Sequence, residues 1–427
     1  MSIALLFGLF FGLLIIGSPI AVALGASTFI TLVAMTPTSP QEIAGMLFEK
    51  IDSYSLMAIP MFILAGNLLS KGSSAHRIIE FAKSVVGHLP GGLPMAAIFA
   101  SIIFAAVSGS SPATVVAIGS IMFGAIESAG YPKRYAIGTV ATAGSLGILI
   151  PPSIVLIVYG VTAEVSIGKL FMAGIIPGIM IGIMMMLVTY IGAKRLGFKR
   201  TKPESFKVRL AKMRDASWAL MTIVIVIGGI YGGIFTPTEA AAVAAVWAFF
   251  VSMFIYRDIK WRDLYKTFLD AGKTTAMIMF IIANAMIFAH FLTLENVPHM
   301  ITQWLIDAHV GPILFLVFVN ILLFFAGDFM EPSAIIMIMV PLLLPVALAL
   351  GIDPIHFGII ITINMELGMI TPPVGLNLFV TSGITGVSLK DVVVYSLPWT
   401  SMILIGLIAV TYIPEISLWL PNLIYGE

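Results

Sequence analysis

The chain has 427 residues, of which 59% are hydrophobic and 10% charged, with a mean hydropathy of +1.08. A soluble chain carries about 25% charged residues, so a soluble protein and a sizeable soluble domain are both excluded. A formal net charge of +1 gives no reason to expect a nucleic-acid partner, and the lack of cysteine excludes disulfides, thiolate metal sites and thiol catalysis.

Successive apolar runs of about 20 residues predict a polytopic membrane protein of all-α class. Met1 to Gly17 lacks a basic flank and an evident cleavage site, so it reads as a retained first span. Spans one and two fall near 2–17 and 19–36, split by Gly17-Ser18-Pro19. Thr36 to Tyr54 is polar, with Glu42, Glu49, Lys50 and Asp52. A third span covers about 55–69, where Asn67 is placed to hydrogen-bond across helices. Lys71 to Lys83, with Arg77, is amphipathic and suits an interfacial position. The run 88–130 is broken in its middle at Ser108–Pro112, the run 135–161 at Leu146–Pro152, and a span at 170–193 closes the first half.

A linker over 194–215 then gathers Lys194, Arg195, Lys199, Arg200, Lys202, Lys207, Arg209, Lys212 and Arg214, nine of the 22 basic residues. Spans follow at 216–235 and 237–256, then a second basic loop with Arg257, Lys260, Arg262, Lys266 and Lys273. After a span at 274–293, residues 294–310 are polar, with Glu295 and Asp307 and no Lys or Arg. The run 311–352 is broken at Asp328–Pro332 and the run 356–386 at Leu367–Pro373; Lys390 precedes the last span, 392–415.

The breaks occur twice in the same order. Ser108-Gly109-Ser110-Ser111-Pro112 answers to Asp328–Pro332, and Leu-Gly-x-x-x-Pro-Pro occurs at both 146–152 and 367–373. Irregular backbone at membrane depth is tolerated only where protein or a watery cavity satisfies it, and matching breaks in two halves point to a transporter's central site. The polar tips therefore predict re-entrant helical hairpins at 88–130 and 311–352. With hairpins, or with full pairs of crossings, the basic loops fall on the cytoplasmic side, and the loops near 37–53 and 294–310 and both termini fall outside. Pro19 pairs with Pro237, Pro112 with Pro332 and Pro151 with Pro372, at offsets of 218, 220 and 221 residues. The halves, 1–193 and 216–427, thus read as inverted repeats. Each has its own scaffold helices (about 1–70 and 216–293), hairpin and broken helix (135–161 and 356–386).

The first tip sets four hydroxyl residues, Ser108, Ser110, Ser111 and Thr114, around a glycine and a proline. The half-helix before it ends in free carbonyls, which suit a hard cation; the one after it starts with free N–H groups, which suit an anion. A polar-capped helix kink is the plain structural alternative. The second tip holds Asp328 and Glu331. Carboxylates within the membrane are functional hypotheses by default, and Asp328 also suits the N-cap of the next helix. Glu366 is a third such acid, with Ser145 as its counterpart in the first half; Asn364, Asn377 and Ser153 flank the breaks. His76, His88, His299, His309 and His356 sit at segment ends, where a histidine needs no function, and His290 reads as packed. Glu239 follows Thr236-Pro237-Thr238 at a helix start, a favoured place for an acid. No G-x-S-x-G, H-E-x-x-H or phosphate loop occurs, so the chain holds no ATPase machinery.

The phrases Ser108–Thr114, Gly147-Ile148-Leu149-Ile150-Pro151-Pro152-Ser153, Thr236-Pro237-Thr238-Glu239-Ala240-Ala241 and Thr371-Pro372-Pro373-Val374-Gly375-Leu376-Asn377, in this order over essentially the whole chain, resemble the large membrane subunit of tripartite ATP-independent periplasmic (TRAP) transporters. The resemblance implies sodium-coupled uptake of an organic acid across a bacterial inner membrane by an elevator mechanism. The hairpins and broken helices would form a mobile transport domain, carried by a scaffold of the remaining spans. It implies a periplasmic substrate-binding protein and a small four-helix membrane subunit as partners, the latter expected as a separate chain because nothing before span one would encode it. Carried over by position, one Na+ site would comprise Ser108, Gly109, Ser110, Ser145 and Gly147, where the first tip meets the broken helix of its own repeat. The other would comprise Gly327, Asp328, Met330, Glu366, Gly368 and Thr371. The substrate carboxylate would lie near Ser110, Ser111, Pro152, Ser153, Thr371 and Asn377. C4-dicarboxylates and sialic acids are the substrate classes implied, with a lean to sialic acid on overall likeness. Two other readings compete: a stand-alone sodium–dicarboxylate symporter, and an intramembrane enzyme built on Asp328 and Glu366.

Overall fold

Proline and glycine punctuate the apolar runs, and several helices start or end at them, although Pro177, Pro341, Pro345 and Pro398 stand inside helices. In the computed structural model, which describes residues 1–198 and 200–426, every element is helical and no strand occurs among the described residues. Lys199 of the basic linker and Glu427 lie outside the described residues, as do the side chains of Lys50 and Ile306. Eight helices among the described residues are long and apolar enough to cross a membrane.

The first half runs α1 (Ser2–Ile15), α2 (Ile20–Met35), α3 (Pro40–Ile51), a short turn into α4 (Ala58–Lys71), α5 (Ser74–Val86), α6 (Gly92–Ser108) and α7 (Ser111–Ser128). It continues with α8 (Lys133–Ala143), a 3-10 turn at Gly144–Ile148, α9 (Ile154–Thr162) and α10 (Ile167–Arg195). The second half runs α11 (Phe206–Ile223), which passes through one π-wound turn into α12 (Gly229–Tyr231), then α13 (Pro237–Phe250), α14 (Trp261–Leu294) and α15 (Val297–Asp307). It ends with α16 (Pro312–Gly327), α17 (Pro332–Ala349), α18 (Pro354–Gly368), α19 (Leu376–Thr385), α20 (Leu389–Tyr412) and α21 (Glu415–Tyr425).

Each long broken run is a helical hairpin: α6 returns along α7, and α16 along α17. Two groups of helices result. In one, α14 lies against α2, α3 and α4, and α13 runs along α4. In the other, the hairpins and broken runs cross between the halves: α7 packs on α19, and α17 on α9, while α10, α18 and α20 support them. Between the groups, α4 touches α6 and α7, and α14 touches α17.

Several stretches read as loops are helical. Ser39 and Glu42 form a reciprocal capping box that starts α3 inside the polar stretch. Helix α11 starts at Phe206, capped by Ser205, so Lys207, Arg209, Lys212 and Arg214 of the basic linker ride on a helix. Likewise α14 begins at Trp261 and carries Arg262, Lys266 and Lys273. Long basic side chains reach water from a helix end, so charge there marks the interface and not the end of the helix. Helices α15 and α21 are too short to be seen as spans. Thr236 and Glu239 form the capping box expected at the start of α13.

Candidate functional site

Both hairpin tips line one cavity of about 320 Å³, the first through Ser108–Ala113 and the second through Glu331, Pro332 and Ser333. Its far wall is α4 and α14, through Ile63, Gly66, Asn67, Thr274, Met277 and Ile278. Asn67 makes no cross-helix hydrogen bond among the described residues; it faces this cavity, contrary to the role expected of it.

The first tip is closed by its own side chains. Gly109 caps α6 with φ +61°, a conformation that glycine adopts without strain, and a Cβ there would lie 2.8 Å from the Pro152 carbonyl oxygen. The Ser108 and Thr114 hydroxyls lie 2.8 Å apart, and Thr114 donates to the Ser110 carbonyl at 2.9 Å. Ser110 is half-buried, and its hydroxyl has no partner among the described residues. Neither its O–H nor that of Ser111, which accepts from Asn377, donates to a partner among the described residues.

The tip also meets its own broken run. A Cβ on Gly147 would lie 2.7 Å from the Ser110 carbonyl oxygen, and Ile154 donates its N–H to the Gly109 carbonyl at 3.5 Å. The second tip does likewise. A Cβ on Gly368 would lie 2.5 Å from the Gly327 carbonyl carbon, and Val374 donates to the Asp328 carbonyl at 3.0 Å. The two glycine-to-backbone contacts press the tips onto the breaks.

Glu331, not Asp328, caps α17: its carboxylate accepts from the N–H groups of Ser333 and Ala334 at 2.9 and 3.2 Å. Asp328 closes α16 and is 4% exposed, with Oδ1 unpartnered. The expected N-cap role moves three residues along because Pro332 at the first helical position sets the cap directly before it.

Glu366 and Ser145 do not line the cavity. Both are fully buried, and they face each other across the two halves, the Ser145 hydroxyl donating to Glu366 Oε1 at 2.9 Å. Glu366 Oε2 has no partner. Of the substrate set, Ser110 and Ser111 line the cavity, whereas Pro152, Ser153, Thr371 and Asn377 do not. Ser153 spends its hydroxyl on the Ile148 carbonyl and caps α9, and Thr371 donates to the Leu367 carbonyl at 2.8 Å. Asn377 reaches across the halves to donate to the Ser111 hydroxyl at 2.7 Å, which leaves its buried Oδ1 free. Met330 lies beyond the Asp328 turn, half-buried against the core.

Buried acceptors without partners occur at the second tip and along the second broken run, outside the lining of the cavity. Asp328 Oδ1, Asn364 Oδ1, Glu366 Oε2 and Asn377 Oδ1 are all without partners among the described residues. An unpaired buried acceptor costs roughly 1–3 kcal/mol, so each of these oxygens calls for a positive charge or donor from elsewhere. The described residues hold no group of three His, Cys, Asp or Glu that could bind a metal.

Sequence reasoning passed over two positions. Asn320, inside the apolar run of α16, accepts from Asn364 at 2.8 Å and donates to Thr411 at 3.1 Å, tying the second hairpin to α18 and α20. Gly66 brings α4 against the first tip, where a Cβ would lie 2.8 Å from the Ser108 carbonyl oxygen. A lone polar residue in an apolar run was the available signal for the first; the second had none. His356, read as an interfacial end residue, is instead 2% exposed with Nδ1 2.7 Å from the Ser417 hydroxyl, because α21 folds back over it.

A family model described as "Tripartite ATP-independent periplasmic transporter, DctM component" matches residues 7–416. The C4-dicarboxylate TRAP transporter large permease protein DctM of Vibrio cholerae is 48% identical, over 100% of this chain and 99% of that one. Its counterpart of the same description from Pseudomonas aeruginosa is 52% identical over 94% of each chain. The sialic acid TRAP transporter large permease protein SiaM of Vibrio cholerae is 34% identical over 97% of each. Among solved structures, the Alcanivorax borkumensis YdaH transporter shares the fold, with a TM-score of 0.62 at 16% identity over 89% of this chain and 88% of that one.

Proposed function

Because the chain belongs to the DctM component family of TRAP transporters, a family of transport proteins and not of enzymes, we propose that it carries a C4-dicarboxylate into the cell, driven by sodium, across a bacterial inner membrane. The substrate follows the relatives: those named for C4-dicarboxylates are 48% and 52% identical, the one named for sialic acid 34%. The lean to sialic acid gives way on that difference.

The observation that carries the reading is the shared cavity. Two hairpin tips meet at one space: the carbonyl end of α6 with the Ser110 hydroxyl offers oxygens for Na+, and the N-terminal end of α7 offers N–H groups for a substrate carboxylate. The unpartnered Asp328 Oδ1 belongs to the second tip, outside the cavity lining. The Na+ ions are cargo, held by the tip backbone with Ser110 on one side and Asp328 on the other. The matching contacts of each tip with its own break support inverted repeats, with hairpins that enter the membrane and return on one side. An elevator movement is supported by the two helix groups, which meet along the cavity mainly through α4 and α14. Both termini lie on the periplasmic side by the distribution of basic residues. A periplasmic binding protein delivers the substrate, and a small four-helix membrane subunit completes the permease.

Uptake of labelled succinate into proteoliposomes holding this chain and the small subunit tests the whole reading. Uptake is expected only with both an inward sodium gradient and the binding protein. Uptake with sodium alone would establish a stand-alone symporter, and uptake of labelled sialic acid in place of succinate would overturn the substrate.

A further inference from the structure

A second cavity, of about 470 Å³, opens between α8, α10 and α20, well away from the hairpin tips. Two arginines stand at it, Arg134 on the first turn of α8 and Arg195 at the last residue of α10. Neither has an ion-pair partner among the described residues, and no Asp or Glu lines the space. Lys133, Lys194 and Lys390 sit at the ends of the same three helices, so this is the basic face of the molecule. The floor is fixed: Trp399 is 3% exposed and donates its indole N–H to the Thr189 hydroxyl at 2.8 Å. The walls are apolar, through Val188, Leu196 and Val394. Leu196 and Val394 are themselves 42% and 51% exposed, so the walls open outward.

We infer that this groove holds an anionic phospholipid of the inner leaflet, its phosphate between Arg134 and Arg195 and its first methylenes along the apolar walls. Charge complementarity selects this occupant. Each guanidinium fork can bind a lipid phosphate bidentately, and two uncompensated positive charges favour a headgroup of net negative charge over the zwitterionic phosphatidylethanolamine, whose ammonium they repel. Basic pockets between spanning helices on the cytoplasmic side, with an aromatic residue at headgroup level, suit anionic lipids. A free phosphate would use the arginines but leave the apolar walls uncovered. The placement depends on the basic face lying inward and is independent of the substrate.

The test is native mass spectrometry of the full chain released from phosphatidylglycerol and phosphatidylethanolamine mixtures. The native chain is expected to retain one phosphatidylglycerol in preference to phosphatidylethanolamine. The Arg134→Ala/Arg195→Ala variant should retain it about thirtyfold more weakly, from two basic residues at a membrane surface. Arg134→Lys/Arg195→Lys, which keeps charge and fold but not the fork, should fall between them. Lys390→Ala should bind as the native chain does. Retention unchanged in the double alanine variant would overturn the proposal. So would an equal loss in Lys390→Ala, which would mean diffuse surface attraction. Displacement of the lipid by inorganic phosphate would assign the arginines to a free anion, and its exclusion by co-expressed small subunit would assign the groove to a protein.

Discussion

At the scale of single residues, the two halves are held together by hydrogen bonds that join positions far apart in the chain. Ser145 donates to Glu366 in a fully buried place, and Asn377 donates to Ser111. Ser145→Ala removes the donor and leaves both carboxylate oxygens of Glu366 unpaired, at a cost of roughly 1–3 kcal/mol. A lower melting temperature in detergent is expected. Adding Glu366→Leu should restore part of it, since removing both polar partners of a buried pair is close to neutral. A single variant that melts like the native chain would remove the pair from the account. The residue types were legible beforehand: hydroxyls at the first tip, acids at the second, and Glu366 and Ser145 each directly before a Leu-Gly-x-x-x-Pro-Pro phrase. Their contact was not, because a bond across 221 residues leaves no local pattern. The same limit hid the role of Asn377, which looked free to meet a substrate and instead supports Ser111.

At the scale of elements, the hairpins and breaks were the most legible part of the fold. A polar, proline-bearing interruption in an apolar run has few solutions in a membrane, and both hairpins appear within the runs expected for them. Short or basic helices were the least legible. Helices α3, α15 and α21 lack the length of a span, and the first turns of α11 and α14 carry the charges that usually mark loops. What presses each tip onto its break is glycine. Gly368→Val places two methyls and a Cβ into the backbone of Gly327, so the second hairpin must lift. Overpacking of this kind costs about 1–3 kcal/mol, and uptake should fall at least tenfold while the chain still reaches the membrane. Uptake close to native in Gly368→Val would show that the tip-to-break contact carries no part of transport.

At the scale of the whole molecule, charge ties the amphipathic α5 to the second half. Glu80 accepts from Lys83 at 2.8 Å and from Lys212 at 3.1 Å, and Lys212 also reaches Glu204 at 3.2 Å. Burial alone would raise the Glu80 carboxyl, but its hydrogen bonds and charge attraction to the two lysines outweigh this and hold it below the ordinary value of 4.5. A depressed carboxylate adds stability above its unfolded pKa and loses it as pH falls through the folded one. The melting difference between the native chain and Lys212→Ala should therefore be present at neutral pH and vanish well below pH 4.5. It will be small, because the pair is partly exposed; a difference that persists in acid would separate it from Glu80. The two proline-bearing breaks also differ: Pro151, Pro152 and Ser153 are buried, whereas Pro372, Pro373 and Val374 are exposed, Val374 at 37%. That inequality turns into a chemical clock in a chain that has no cysteine to interfere. A thiol introduced by Val374→Cys should be alkylated quickly by a water-soluble maleimide added to one side of the membrane, and one introduced by Ser153→Cys slowly. If the two breaks exchange places during transport, sodium and substrate together should speed the slow thiol and slow the fast one, and the ratio of the two rates would report how the population divides between its two faces.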